Sequence, residues 1–233
     1  VQILMHNKQN DPSDKFVWQL VNRLQQERKD AKESGSKNKK KLLESRPTLC
    51  HALAVSGIPA KEEIFSAPIC GTTSDRAGGV GPLVPSDKLD AINPLVVESL
   101  SGRRNTHDVV VALNSGMIHR LHGTTGRKEW ALSGNKNHEH FPTWEEGSHH
   151  NVLLTRIQAP KIASPIRPVL ISGENSLAVL SVKTGNVLAS VPFPQLAIHR
   201  PILADVSGDG STDVIVFTKD AIWGFQIAVY PGS

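Results

Sequence analysis

The 233-residue sequence has two cysteines, one tyrosine, two methionines and 5% aromatic residues. Each shortage excludes something. A membrane-spanning helix needs about 20 consecutive apolar residues, and every candidate run here is broken by Asp, Lys or Gly, so no span is expected. Cys50 and Cys70 are too far apart for a CxxC redox or zinc motif, and no further cysteine could complete a metal site. A single disulfide in an oxidising compartment and two free thiols in a reducing one fit the pair equally well. So few aromatics, with no basic stripe beside them, exclude nucleic acid as an expected partner. There is no Asn-x-Ser/Thr acceptor, which disfavours a heavily glycosylated ectodomain. The GxSxG elbow, the Walker loop and the GxGxxG fingerprint are also missing, so the chain reads as no enzyme.

What is present suits a folded chain: 39% hydrophobic residues and a mean hydropathy of −0.22. The formal net charge of +4 is unevenly placed. Residues 1–47 hold 11 Lys/Arg against 6 Asp/Glu, and the remainder holds 15 against 16, so the excess belongs to one segment. Within it, Pro12 follows Asp11, and Phe16, Val17, Leu20, Val21 and Leu24 recur at helical spacing, predicting an amphipathic helix from Asp11 to about Ser34. Gly35, Ser36 and the lysines 37, 39, 40 and 41 then read as a solvated basic linker. Residues 48–92 are punctuated by Gly and Pro, which predicts loops and short strands, with Ser66 to Cys70 as an outer strand of a neighbouring sheet. Val1 in place of Met indicates a processed or partial chain.

Residues 93–233 carry a repeat. Asp108–Ile118, Pro168–Ala178 and Asp213–Trp223 align without gaps, each a short apolar strand, a polar turn and a second apolar strand. Their starts lie 60 and 45 residues apart, within reach of the period of about 40 to 50 residues that propeller blades show once loop insertions are allowed. The first two copies share a tail as well, Leu121–Trp130 matching Leu180–Ala189, with Thr125-Gly126 and Thr184-Gly185 supplying tight turns before the chain re-enters a strand. The fold class expected is mainly β: a partial β-propeller of about three four-stranded antiparallel blades, preceded by the helical segment. A β-sandwich built of the same hairpins is the competing architecture.

One stretch has the spacing of a cation loop. Oxygen ligands at positions 1, 3, 5, 7 and 9, around a glycine at position 6, converge on a hard cation such as Ca²⁺. Here these are Asp205, Ser207, Asp209, Ser211 and Asp213 around Gly210. Val216 stands at position 12, where an EF-hand has its bidentate Glu, so this is not an EF-hand. Ser207 replaces a better ligand, and the bland alternative is an Asp/Gly turn that hydrogen-bonds its own backbone.

The Thr-Gly-x-x-x-Trp hairpin resembles quinoprotein-like propeller blades. Ala204–Val216, continuing into Trp223-Gly224-Phe225, is similar to the calcium loop of FG-GAP repeats in integrin α-subunits and plant FG-GAP repeat-containing membrane proteins. The resemblance implies a non-catalytic binding or scaffold module with a structural Ca²⁺ and a protein or glycan partner. It further implies a luminal or extracellular place in the secretory pathway (Golgi or cell surface), with a membrane anchor downstream of residue 233. The alternatives weighed are a cytosolic propeller scaffold without calcium and a carbohydrate-acting or quinoprotein-like enzyme fragment.

The histidines 138, 140, 149 and 150, with Glu139, Glu145 and Glu146 among them, match no HExxH zinc pattern and read as a solvated loop insertion between repeats. His107, His119, His122 and His199 are expected to face a pore or the surface. Trp130, Trp144 and Trp223 are expected to pack between sheets.

Overall fold

The structure is a computed structural model that describes residues 2–4, 51–56, 63–69, 89–99, 106–134, 140–157 and 168–227. The helix expected at 11–34, the basic linker and both cysteines lie outside these residues. No helix among the described residues is long and apolar enough to cross a membrane.

Among the described residues, fourteen strands form four antiparallel sheets. The first contains β1 (Gln2–Leu4), β2 (His51–Val55) and β3 (Glu63–Pro68) in that order. The second contains β4 (Leu95–Glu98), β5 (His107–Ala112), β6 (Met117–His122) and β7 (Lys128–Ser133). The third repeats the pattern with β8 (Leu153–Arg156), β9 (Pro168–Ser172), β10 (Ser176–Ser181) and β11 (Val187–Pro192). The fourth contains β12 (Ile202–Ala204), β13 (Asp213–Phe217) and β14 (Ile222–Gln226). In each sheet the strands are neighbours in chain order, the simplest antiparallel meander.

The strand pattern explains the stacking. β5 and β9 are apolar on both faces, as strands buried between two layers must be, and β13 carries the same apolar run with Ile215 and Phe217 half-buried. Val109, Val111 and Leu121 turn to the first sheet and pack with Ala54, Phe65 and Ala67. Val110, Ala112 and Ile118 turn the other way, onto Val169, Ala178 and Leu180 of the third sheet. Leu170, Leu177 and Val179 then meet Val214 and Val216 of the fourth. Three apolar layers therefore join four sheets in sequence order, and among the described residues none joins the fourth sheet back to the first. This is an open arc of β-propeller, and its face-to-face succession replaces the two-layer sandwich.

The repeat has finer structure than the gapless alignment shows. Ala112 pairs with Ile118, Ser172 with Leu177 and Phe217 with Ile222, so the first copy has one more turn residue than the other two. The alignment slips by one at that turn. A bulge then recurs at the same place in three sheets, between Ala54 and Val55, Arg120 and Leu121, and Val179 and Leu180. It makes Phe65, Trp130 and Ala189 equivalent, since they pair with Ala54, Arg120 and Val179.

That equivalence has a packing purpose. Gly126 and Gly185, the Thr-Gly turn residues, have φ of 67° and 76°, and each lies under the aromatic of the preceding sheet. A Cβ on Gly126 would meet the Phe65 ring at 2.5 Å, and one on Gly185 would meet the Trp130 ring at 2.7 Å. Glycine is needed there for both the left-handed backbone and the close approach.

Candidate functional site

Between the second and third sheets runs a fully buried ion pair. Arg120 and Asp108 are each 1% exposed, and the guanidinium Nε and Nη2 donate to Asp108 Oδ2 at 2.9 and 2.8 Å. Nη2 also donates to the Glu98 carbonyl at 2.6 Å, and Nη1 to the Val182 carbonyl of the next sheet at 2.6 Å. Trp130 Nε1 donates to the same Val182 carbonyl at 2.9 Å. The planar five-donor fork of arginine suits this junction, reaching a carboxylate and two carbonyls at once. Its role is to fix the relative placement of two sheets.

His119 lies on the opposite face of β6, towards the first sheet, and is 1% exposed. The expectation that it faces a pore or the surface is corrected here. β6 is the third strand of its sheet and is covered by the first sheet, so its outward-alternating positions are interior. Neither ring nitrogen makes a well-formed hydrogen bond, and the closest polar group is the Ile69 backbone. Its pKa is lowered from 6.5 to about 4, chiefly by burial and in part by the Lys128 charge, with a backbone hydrogen bond to Ile69 opposing the shift. His107 and His199 are exposed, and His122 is half-buried with its Nδ1 accepting from the Thr124 amide at 3.3 Å.

The segment between β7 and β8 is not purely solvated. His140, Glu145, Glu146, His149 and His150 are exposed, but Phe141 and Trp144 are buried in the layer between the second and third sheets. Asp90 anchors the segment, with Oδ2 accepting from the Gly147 amide and facing His149 Nδ1, both at 3.1 Å. Glu174 Oε2 accepts from the Glu145 amide at 3.1 Å, and the Thr143 carbonyl accepts from the Glu174 amide at 3.0 Å. Asp90, Asn114, Glu174 and Asn175 thereby tie together the loops at one end of the sheets. The sequence signal for this was present in the aromatics Phe141 and Trp144, which a solvated insertion has no reason to carry. Trp130 and Trp144 pack between sheets, whereas Trp223 remains partly exposed on β14.

The cation-loop residues sit together between β12 and β13. Ala204 pairs with Asp213 across the mouth, and Gly208 and Gly210 take φ of 74° and 80° to turn the chain. Asp205 accepts from the Asp209 amide at 3.0 Å and from the Gly210 amide at 2.9 Å. Asp209 Oδ1 accepts from the Ser211 amide at 2.7 Å, and its Oδ2 from Gln226 Nε2 at 3.1 Å. Asp213 Oδ2 accepts from the amides of Val206 and Ser207, both at 2.9 Å. The Ser211 amide chiefly holds the Asp209 carboxyl below its usual value; desolvation opposes it, and the Ser211, Gln226 and Ser207 side chains add to the lowering.

The loop is thus closed by turns on its own amides. No group of three or more His, Cys, Asp or Glu is arranged to hold a metal among the described residues. Two features nevertheless fit a cation. None of the three aspartates has an ion-pair partner among the described residues, and Asp213, 6% exposed, keeps Oδ1 buried with no hydrogen-bond partner.

These features define the class: a mainly β protein of propeller-type stacked sheets. No family model matches the chain, and no curated protein matches it. Among solved structures it is similar to the biofilm matrix protein Bap1 of V. cholerae, at 13% identity over 64% of this chain and 26% of that one, with a TM-score of 0.35. It is also similar to BamB from Moraxella catarrhalis, at 15% identity over 62% of this chain and 40% of that one, with a TM-score of 0.30. A third is the WD40 β-propeller domain of Doa1, at 13% identity over 76% of this chain and 59% of that one, with a TM-score of 0.32. The chain spans between about a quarter and three fifths of these proteins' lengths.

Proposed function

We propose that the chain is a non-catalytic binding and scaffold module, part of a luminal or extracellular propeller domain in a membrane-anchored protein of the secretory pathway. The observation that carries the binding reading is the loop end of the sheets. There Asp90, Asn114, Glu174 and Asn175 hold the connecting loops rigidly while leaving His149, His150, Glu145 and Glu146 outward. A platform whose inner polar groups hold its own loops in place, and whose outer ones face solvent, suits recognition of a protein or glycan. The compartment rests on the resemblance to FG-GAP proteins.

Calcium is proposed as a structural ion held by Asp205, Ser207, Asp209, Ser211 and Asp213. Three carboxylates without a counter-cation and the unpaired Asp213 Oδ1 support this reading. A bound divalent ion would offset their mutual repulsion and stiffen the β12–β13 connection. Calorimetric titration of Ca²⁺ into the chelated chain tests it, with melting curves for the wild type and Asp209→Ala. Binding that raises the melting temperature, and is lost in the variant, is expected. A folded chain that takes up no heat would leave the loop an amide-closed turn and favour the calcium-free scaffold.

A further inference from the structure

Gln226 departs from its counterparts in the other sheets. It pairs with Asp213 across β13 and β14, as His122 pairs with Asp108 and Ser181 with Pro168. His122 and Ser181 each serve the turn that follows their own strand, accepting from the Thr124 amide at 3.3 Å and from the Thr184 amide at 3.4 Å. Gln226 turns to the β12–β13 loop instead. Direct cross-strand partners share a face of the sheet, so its side chain emerges beside the Asp213 carboxylate, and its Nε2 donates to Asp209 Oδ2 at 3.1 Å. An amide from a separate strand thus reaches position 5 of the loop from beside position 9.

Ca²⁺ takes about 6 to 8 oxygen ligands, and the loop offers five positions, of which Ser207 is a weak one. An EF-hand makes up its number with a bidentate Glu, and Val216 stands at that position here. Asp213, 6% exposed, turns its carboxylate into the loop, where Oδ2 accepts from the Val206 and Ser207 amides and Oδ1 is left without a hydrogen-bond partner. The loop has a buried oxygen to give, and too few ligands of its own. Resting on the calcium reading above, we propose that Gln226 supplies the missing ligand through its side-chain carbonyl. A half-turn of the amide about its last bond exchanges Nε2 for Oε1, leaving an oxygen where the nitrogen now stands, 3.1 Å from Asp209 Oδ2. Two oxygens so separated, each about 2.4 Å from one ion, subtend about 80°, the spacing of neighbouring ligands in the roughly pentagonal-bipyramidal sites that Ca²⁺ adopts. A cation in the loop drives the exchange, because it attracts the carbonyl oxygen and repels the amide hydrogens.

Calorimetric titration of the whole 233-residue chain with Ca²⁺ tests this on the wild type, Gln226→Met and Gln226→Glu, while Tb³⁺ luminescence lifetimes in light and heavy water count the waters on the bound ion. Gln226 is exposed, so far-ultraviolet circular dichroism should be the same for all three. Methionine keeps the length without the oxygen, so affinity should fall at least about tenfold and about one more water should coordinate the ion. Glutamate keeps an oxygen and loses the donor, and should bind at least as tightly as the wild type. Equal affinity and equal water count in the wild type and Gln226→Met overturn the assignment and leave the calcium loop standing. So does a Gln226→Glu variant as weak as Gln226→Met, because the donation from Nε2 to Asp209 would then be what matters. A folded wild type that binds neither ion removes the calcium reading itself, and this ligand with it.

Discussion

Acid should loosen the contact between the first and second sheets through His119. The imidazole is neutral and buried when folded, with a pKa of about 4, and is released on unfolding to a site where the value is 6.5. A histidine whose folded pKa is lowered binds its proton preferentially in the unfolded state. Its contribution is therefore fully present above pH 6.5, declines as pH falls through the window from 6.5 to about 4, and is lost below it. Linkage gives a loss of roughly 1.4 kcal/mol by about pH 5.5 and about 3 kcal/mol by about pH 4. Urea unfolding across this range, compared with His119→Leu, isolates the effect from the other titrating groups. The variant should match or exceed the wild type at neutral pH, because the ring makes no well-formed hydrogen bond and leucine has no polar atom to desolvate. The gap between them should widen as pH falls. Parallel decline of the two curves would refute the reasoning.

Arg120→Met should cost about 3 to 5 kcal/mol, because it leaves the Asp108 carboxylate buried without its cation. The double variant with Asp108→Leu should regain most of that loss in the same denaturant assay. Gly185→Ala should lower stability by at least about 2 kcal/mol, combining a strained left-handed backbone with displacement of the Trp130 ring. In a Trp130→Ala background the cost should shrink to the backbone share alone, which a double-mutant cycle in thermal melts will read.

The strands of the repeat were legible because their information is local. Val109–Ala112 and Val169–Ile171 are apolar without alternation, which marks strands buried on both faces before any packing is known. The Thr-Gly turns were legible for the same reason: a left-handed residue in a tight turn calls for glycine. The aspartate loop was readable as a turn, and its bonds to its own amides follow from short acceptors placed two to seven residues from the donors they meet.

Other features depended on which sheet lies against which. His119 looks like an ordinary strand histidine, and only the first sheet lying over β6 makes it a buried base. Arg120 and Asp108 carry no sequence mark of a pair; antiparallel register, which pairs Asp108 with His122 and Arg120 with Val110, sets them diagonally on one face, and the third sheet closes water out. The equivalence of Phe65 with Trp130 was hidden by a bulge and by a change of residue type. Periodicity in a chain reports how many faces of a strand are buried. It does not report what covers them, because the covering groups are set by contacts between residues far apart in sequence, and those form only when the sheets stack.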